Sequence, residues 1–437
     1  MLRAFASAFK TPDLRKKLLF TLAMILLYRL GASIPTPNTD THNINKCIAG
    51  VSGSTKNVLS LINLFSGGAL LKLSVFALGI MPYITASIII QLLVVVIPRF
   101  EQLKQEGQSG QQKLTQYSRY LTIGLGILQS TGFIALARSG QLFPSCQGAI
   151  LYKDDMWTLS TMVLCMTAGT GIIMWLGELI TDRGVGNGMS VLMFTSIAAR
   201  IPNEGQTILQ NAGGFVFTLI CALGLAIIIA VVFVEQAQRR IPVQYAKRMV
   251  GRRQYGGTST YLPLKVNQAG VIPVIFASSL LYIPQLINQL VHGNSGGGGG
   301  FERFLNTYIL DQTKWSYLLI YFLLIIFFSY FYVGITFDPV ERADDMKKYG
   351  GFIPGIRPGR PTAEYLQFVL SRITFPGSLY LGIVAVLPNF FFNITSGNNQ
   401  NFPFGGTAVL IMVGVALDTV KQIESQLMQR NYEGFLR

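Results

Sequence analysis

The residues that could carry out chemistry are few and far apart. The two histidines, His42 and His292, lie in predicted outer loops, and neither is near a cluster of acidic residues. The stretch 107–113 ends in a lysine, but it lacks both the spacing and the following Ser or Thr of a nucleotide-binding P-loop. The sequence therefore indicates a protein that is not an enzyme, and it predicts no cofactor.

The four cysteines, at positions 47, 146, 165 and 221, do not have the spacing of a metal site. Cys47 and Cys146 both fall in loops predicted on the outer side of a membrane, where a disulfide can form. The sequence leaves a disulfide and two separate thiols as alternatives.

Acidic residues are scarce within the apolar segments. Glu178 and Glu235 lie near segment ends, and Asp418 lies in the last segment. An ion-coupled transporter usually places carboxylates or histidines in the middle of its spans. This pattern disfavours ion coupling, although the number of spans keeps a secondary transporter for a small solute as an alternative.

The elements that must position these residues are membrane spans. Half of the residues are hydrophobic and only 13% are charged. A helix needs about 20 apolar residues to cross the ~30 Å hydrocarbon core. The sequence therefore predicts an all-α, polytopic membrane protein with ten transmembrane helices. The predicted spans are Leu18–Ile34, Leu73–Ile97, Tyr120–Ala137, Leu159–Ile180, Met189–Ile201, Gly214–Val234, Val271–Leu290, Tyr317–Phe337, Ile373–Ile394 and Thr407–Ile423.

The basic residues are distributed unevenly between the two sides of these spans. Of the 35 Lys and Arg residues, 26 lie on the side of the N-terminus, and Arg29 lies within span 1. Because basic loops stay in the cytoplasm, we expect both termini to be cytoplasmic. The net charge of +15 further predicts attraction to anionic lipids and a cytoplasmic partner surface.

Two predicted cytoplasmic loops, 236–269 and 338–372, have features of binding surfaces. From Arg239 to Lys265 the first contains seven basic and no acidic residues, and its alternating apolar residues predict a β-hairpin. The second is interrupted by Gly and Pro pairs, which predict a rigid tip presenting Arg357. We expect the first loop to dock to an anionic partner, although a loop that is basic only because it is cytoplasmic is the alternative.

A short apolar segment, about 57–71, lies on the predicted outer side. Val58, Leu61, Ile62 and Phe65 recur at helical spacing before a Gly67-Gly68 break. The segment is too short to span, and its pattern fits either a half-helix that re-enters the membrane or a helix lying on its surface.

Several of these segments resemble the SecY family, the central channel subunits of the bacterial-type Sec protein translocase. The similarity extends over essentially the whole chain. The matching segments are FSGGAL (65–70), FALGIMPYITASIIIQLL (76–93), GVGNGMS (184–190), AKRMVGRR (246–253), LPLKVNQAGVIPVIFASS (262–279), FIPGIRPG (352–359) and FGGT (404–407).

The resemblance implies two pseudo-symmetric halves of five spans, 1–203 and 204–437, around an hourglass pore. It implies a channel that translocates unfolded secretory polypeptides and releases hydrophobic segments sideways into lipid. A membrane insertase without a pore is the other alternative. The membrane would be a bacterial plasma membrane or a thylakoid membrane.

The resemblance also implies roles for particular residues. The implied pore ring consists of Ile80, Ile84, Met189, Met193, Ile275 and Ile411, with methionine instead of the family's usual isoleucine in span 5. The implied plug is the 57–71 half-helix, including Asn57, Leu61, Ile62, Phe65, Gly67 and Gly68. Polar contacts of the implied lateral gate are Thr85, Gln129 and Ser278. Ordinary packing between helices would explain those three residues equally well.

The chain contains no energy source, so the family resemblance implies partners that drive transport. Arg248, Arg252, Arg253 and Arg357 would dock the ribosome, through its RNA and proteins, or the SecA ATPase. SecE would clamp the two halves together, and SecG would lie alongside. The transported partners would be polypeptides that carry a signal sequence.

Overall fold

The computed structural model describes residues 11–44, 66–70, 72–138, 151–245, 248–250, 253–255, 259–281, 314–394 and 406–434. Helices dominate these residues. We number them α1 Pro12–Ser33, α2 Met81–Val96, α3 Pro98–Gln105, α4 Gln108–Arg138, α5 Met156–Arg183, α6 Gly188–Ala198, α7 Ile201–Gln236, α8 Ile272–Leu281, α9 Trp315–Thr336, α10 Pro339–Lys348, α11 Arg360–Ile394 and α12 Gly406–Gly434. The strands are β1 Gln238–Tyr245, β2 Arg248–Val250, β3 Arg253–Tyr255, β4 Ser259–Lys265 and β5 Gly351–Phe352.

Each of the ten predicted spans overlaps one of these helices. Within the described residues, five helices are long and apolar enough to cross a membrane: α4, α5, the Phe217–Gln236 part of α7, the Trp315–Lys348 stretch that comprises α9 and α10, and the Arg360–Leu387 part of α11. The pair α2 and α3, bent by 100°, makes a sixth candidate. The other predicted spans coincide with helices that are shorter or carry more charge, so the count of ten stays a prediction.

The second predicted span begins later than expected. Leu73 has a φ of 45° and Gly79 a φ of 57°, and neither value is compatible with a right-handed helix. Residues 72–80 instead form turns, and α2 starts at Met81 with Pro82 in its first turn. Backbone hydrogen bonds to the end of α1 hold these turns in place, including Val75 N to Ile34 O at 2.9 Å.

The predicted junction between the halves, 203/204, falls inside a helix. The turn that separates α6 from α7 comes earlier, at Ala199 and Arg200. Helix α7 then runs for 36 residues, from Ile201 to Gln236. Pro202 is in its first turn, where the missing N–H costs no helical hydrogen bond.

The β-hairpin predicted for the first of the two basic loops is confirmed. Strands β1 and β4 pair antiparallel, from Gln238 with Lys265 to Gln244 with Ser259. Ile241 and Val243 point to the buried face, as the alternating pattern predicts. The second loop contributes β5 to the other edge of β1, so both predicted cytoplasmic loops contribute to one three-stranded sheet.

Candidate functional site

An apolar cluster lies where α2, α6, α8 and α12 meet. It contains all six residues of the implied ring. Ile80 and Ile411 are fully buried, Ile275 and Met193 are nearly so, and Ile84 and Met189 are partly buried. The structure therefore brings six residues from four separate parts of the chain into one packed group. Tyr28, Phe76, Ile173, Leu176, Ile180 and Leu192 surround them.

Helical spacing explains why two elements each supply two residues. The N–H of Ile84 donates to the carbonyl of Ile80 at 3.1 Å, so these two residues are one helical turn apart. Met189 and Met193 have the same spacing on α6. Residues four apart lie on one face of a helix, so each pair faces the cluster together.

The position of α6 is fixed by a cap and by close contact with α5. The side chain of Asn187 accepts a hydrogen bond from the N–H of Met189 at 3.1 Å, which satisfies one free donor at the helix start. A Cβ atom on Gly177 would overlap the sulfur of Met189, and one on Gly188 would overlap the Gly177 carbonyl. Glycine at these two positions thus allows α5 and α6 to touch.

A cavity of about 530 Å³ adjoins this cluster. Met193, Ile275 and Ile411 contribute to its wall, and so do the charged residues Glu235 and Asp418. Asp418 is seven residues beyond Ile411 on α12, about 10 Å along the helix axis. The remaining wall of the cavity is formed by Asn187, Ser190, Gly270, Val271, Ile272, Gly414, Val415, Thr419, Lys421, Gln422 and Ser425. The cavity therefore changes from apolar to charged along α12.

The implied plug lies mostly outside the described residues, including Asn57, Leu61, Ile62 and Phe65. Gly67 and Gly68 are described, with φ values of 65° and 90° that favour glycine. Arg29, the charged residue within span 1, donates from Nη1 to the carbonyl of Gly67 at 3.3 Å. Next to Arg29, Tyr28 shares a buried hydrogen bond of 2.6 Å with Ser196 of α6.

The implied gate residues lie on three helices. Thr85 of α2 donates to its own helix at the Met81 carbonyl, and Ser278 of α8 donates to the Ile275 carbonyl, both at 2.9 Å. Gln129 is half-buried on α4, which packs against α2. The hydroxyls of Thr85 and Ser278 thus donate hydrogen bonds within their own helices.

A contact between the two predicted halves lies at the end of α9. Lys104 of α3 donates from Nζ to the carbonyl of Ile335 at 3.5 Å. This carbonyl is in the last turn of α9, where the helix dipole is negative. This pair could not be predicted from the sequence, because no local sequence pattern relates a lysine to a backbone carbonyl so distant in the chain.

The basic docking residues are partly described. Arg248 is the first residue of β2 and pairs with Tyr255, and Arg253 is the first residue of β3 and pairs with Val250. Arg252 lies outside the described residues. Arg357 is exposed on a turn between Gly355 and Gly359, both with positive φ. Its carbonyl accepts a hydrogen bond of 2.9 Å from the Thr362 hydroxyl at the start of α11. The predicted constrained tip is therefore present.

Two polar pairs near the ends of predicted spans were not predicted from the sequence. Arg119 of α4 and Glu178 of α5 form a bidentate ion pair, and Asn267 donates to the carboxylate of Glu235. Opposite charges at the ends of consecutive spans could have indicated the first pair. The Asn267–Glu235 pair has no such signal.

The other chemical candidates are not assembled into a site. Cys47, Cys146 and His292 lie outside the described residues, so the disulfide stays untested. Across the described ranges, no group of three or more His, Cys, Asp or Glu side chains is placed to bind a metal ion.

Comparisons with known proteins settle the family. A SecY family model matches residues 74–420. The chain is 66% identical over 441 residues to the protein translocase subunit SecY of Mycobacterium bovis, covering 100% of both chains. The chain belongs to the SecY family. As a SecY protein it is a membrane protein, which confirms the predicted family and membrane class.

Solved structures confirm the SecY fold. A structure of a protein-conducting channel matches with a TM-score of 0.66 at 18% identity, covering 94% of this chain and 92% of that chain. Sec61 in the canine ribosome-channel complex matches with a TM-score of 0.61, also at 18% identity, with the same coverage. At this level of identity, the likeness concerns the fold alone.

Proposed function

We propose that this protein is a passive protein-conducting channel that moves unfolded polypeptides across a membrane. The observation that carries the proposal is the apolar cluster of six residues beside a cavity with charged walls. A polypeptide presents changing side chains, so a polar binding site would retain some of them. An apolar ring binds none of them strongly, and a narrow apolar gap resists ions by dewetting.

The architecture that this function requires is ten spans in two halves around the ring. The overlap of every predicted span with a helix supports it. The proposed ring draws Ile80, Ile84, Met189 and Met193 from the first half and Ile275 and Ile411 from the second. A ring shared in this way can widen when the halves separate.

Lateral release requires an opening between spans 2–3 and spans 7–8, where Thr85, Gln129 and Ser278 lie. We propose that the Lys104–Ile335 contact helps to hold this gate closed at the cytoplasmic end. Once the gate opens, a hydrophobic segment meets lipid, and partitioning decides whether it inserts.

The plug role of segment 57–71 is supported by the contact at its end. Arg29 and Ser196 both lie against Gly67, so the end of the segment is fixed close to α1 and α6. An apolar half-helix that continues from this point can cover the outer side of the ring.

We propose that the three-stranded sheet and the Arg357 tip form one docking surface, because β5 joins the second loop to the hairpin. Arg248, Arg252 and Arg253 add the positive charge that ribosomal RNA phosphates would neutralise. The Sec61 relative is named in a ribosome-channel complex, which supports the ribosome as a partner. SecA, SecE and SecG are proposed as the further partners.

The charge distribution supports cytoplasmic termini and contact with anionic lipids. The proposed membrane is the bacterial plasma membrane, in line with the high identity to a mycobacterial relative.

Transport by purified protein tests the proposal. The protein would be reconstituted with SecE in vesicles, and SecA, ATP and a preprotein with a signal sequence would be added. We expect the preprotein to become protease-protected inside the vesicles. Solute accumulation along an ion gradient without preprotein transport would instead show a secondary transporter. Insertion of hydrophobic segments without protection of secreted chains would show an insertase without a pore.

A further inference from the structure

The linker between β4 and α8, residues 266–271, is held by a buried polar pair. Asn267 and Glu235 are only 4% and 7% exposed. The Asn267 side-chain amide donates to Glu235 Oε2 at 3.0 Å and to the carbonyl of Gly270 at 3.1 Å. A single side chain thus joins the end of α7 to the start of α8.

Neighbouring contacts hold the same linker from other sides. The N–H of Val266 donates to the carbonyl of Ala237 at 3.0 Å, immediately after α7. On α11, a Cβ atom at Gly377 would overlap the Val266 carbonyl, so the helix and the linker touch. Lys265 approaches Asp418 of α12 at 3.4 Å. The linker is therefore fixed against three helices of the second half.

A buried carboxylate is a costly means of holding a linker. Removing a charge from water is unfavourable unless hydrogen bonds compensate, and apolar packing would stabilise the same contact at lower cost. An apolar contact, however, does not favour one orientation of the two groups. A hydrogen bond from Asn267 to Glu235 sets both the distance and the orientation of the linker relative to α7.

The helix whose position depends on this hydrogen bond is α8. Gly270 has a φ of 62°, which turns the chain, and α8 then starts at Ile272. Ile275 follows within the first turn and packs in the apolar cluster. Glu235, Gly270 and Ile275 also line the same cavity. A shift in the position of Asn267 would therefore displace the start of α8, and Ile275 with it.

We propose that Glu235 and Asn267 are positioning residues of the channel, which fix Ile275 at the height of the ring. This inference deepens the proposed function, and its channel consequence depends on that function. Neither side chain needs to contact the transported polypeptide. Their role is to keep α8 aligned with α7 when a partner loads the hairpin, because β4 continues directly into the linker.

Thiol accessibility measures this position without relying on transport. In a variant whose native cysteines are replaced by serine, Ile275→Cys would be labelled in the reconstituted complex with a charged methanethiosulfonate reagent. Ile275 is 5% exposed at the cavity wall, so we expect slow labelling. Adding Asn267→Ala or Glu235→Ala should raise the rate about tenfold, which corresponds to ~1.4 kcal/mol, the size of one hydrogen bond.

Two milder variants keep the test valid if the alanine variants do not fold. Glu235→Gln retains an acceptor oxygen at the same length, so it should label as slowly as the parent. Glu235→Asp keeps the carboxyl group but shortens the side chain, so labelling should be fast. Gln236→Ala removes an exposed amide from the same helix end and is the matched control. Equal rates in Glu235→Asp, Glu235→Gln and the parent would overturn the proposal.

Resting ion conductance, measured with native Ile275, separates this proposal from the channel itself. Faster labelling together with increased conductance in Glu235→Asp supports both. Faster labelling with unchanged conductance supports the positioning role and counts against the ring as a seal. If polar ring residues make the channel leak but the Glu235 and Asn267 variants label at the parent rate, the positioning role is rejected and the channel function is retained.

Discussion

Arg119 and Glu178 join α4 to α5 through two parallel hydrogen bonds. Both the Nε–Oε1 and the Nη2–Oε2 distances are 2.8 Å. Gln116, one turn before Arg119, accepts a third bond from the guanidinium at 2.9 Å. A planar guanidinium matches a carboxylate in this geometry, so the pair fixes the rotation of one helix against the other.

The first prediction is that Glu178→Gln lowers stability. One of the two charge-assisted bonds is lost, and we expect a decrease of about 1 kcal/mol, because the Arg119 side chain is 40% exposed and solvent weakens the pair. Thermal unfolding in detergent would measure the change. Glu106→Gln is the matched control, since its partner Lys113 is 59% exposed. An equally large decrease in both variants would contradict the special role of the bidentate pair.

The extent to which sequence predicted the fold depends on how local each feature is. Alternation of Ile241 and Val243 is a local pattern, and it predicted the β-hairpin correctly. The pairing of β1 with β5 joins residues of two separate loops, and no pattern within either loop indicates it. The start of α2 was predicted too early for a similar reason. Leu73 is apolar, as a residue at the start of a span would be, but its carbonyl accepts a hydrogen bond from the distant Thr36 N–H at 3.0 Å.

The candidate site shows the same division. Apolar residues are so frequent around Ile80 and Ile84 that spacing alone does not single out this pair, and it does not show that Ile275 and Ile411 join them. That grouping came from resemblance to a family, and the structure then placed all six side chains in one cluster. Buried pairs such as Asn267 with Glu235 depend on how helices pack, so only the folded chain shows them.

A second prediction compares Gly67 with Gly68. Alanine at either position carries the strain of a positive φ, about 1–2 kcal/mol. At Gly67 the new methyl would also lie 3.2 Å from the Cα of Ser196 and 3.3 Å from Arg29 Nη1, whereas at Gly68 it meets no atom within 4 Å. We expect Gly67→Ala to lower the thermal midpoint more and to increase resting ion conductance. Gly68, with a φ of 90°, imposes at least as much backbone strain on alanine as Gly67, with a φ of 65°, so a larger effect at Gly67 comes from the contact with α1 and α6. Identical behaviour would show that this contact does not hold the segment.

A third prediction concerns the docking surface. Changing Arg252, Arg253 and Arg357 to Glu should weaken binding of ribosomes or SecA to the reconstituted channel. Fewer counterions are released on binding, so the slope of log affinity against log salt should fall by about one for each phosphate that the variant no longer neutralises. Binding would be measured by sedimentation or fluorescence over a range of salt concentrations.

The control for this surface is a charge change on the other side of the protein. Lys153 is exposed, and it lies in the predicted outer loop between spans 3 and 4. Lys153→Glu alters the net charge by the same amount per site, and we expect affinity and salt slope to stay at the wild-type values. If the triple variant also kept both values, the three arginines would be topology determinants without a docking role.

The last prediction concerns the seal. Ile275→Asn combined with Ile411→Asn places two amides in the apolar cluster, where both native side chains are almost completely buried. Polar groups in a narrow gap stabilise water there, and a hydrated gap conducts ions. We expect higher resting conductance in planar bilayers and translocation of preproteins with weakened signal sequences. Ile383→Asn on α11, where the native side chain is 52% exposed, introduces the same group away from the cluster and should leave conductance unchanged. A double variant as ion-tight as the wild type would show that the cluster is a structural core and that the seal lies elsewhere.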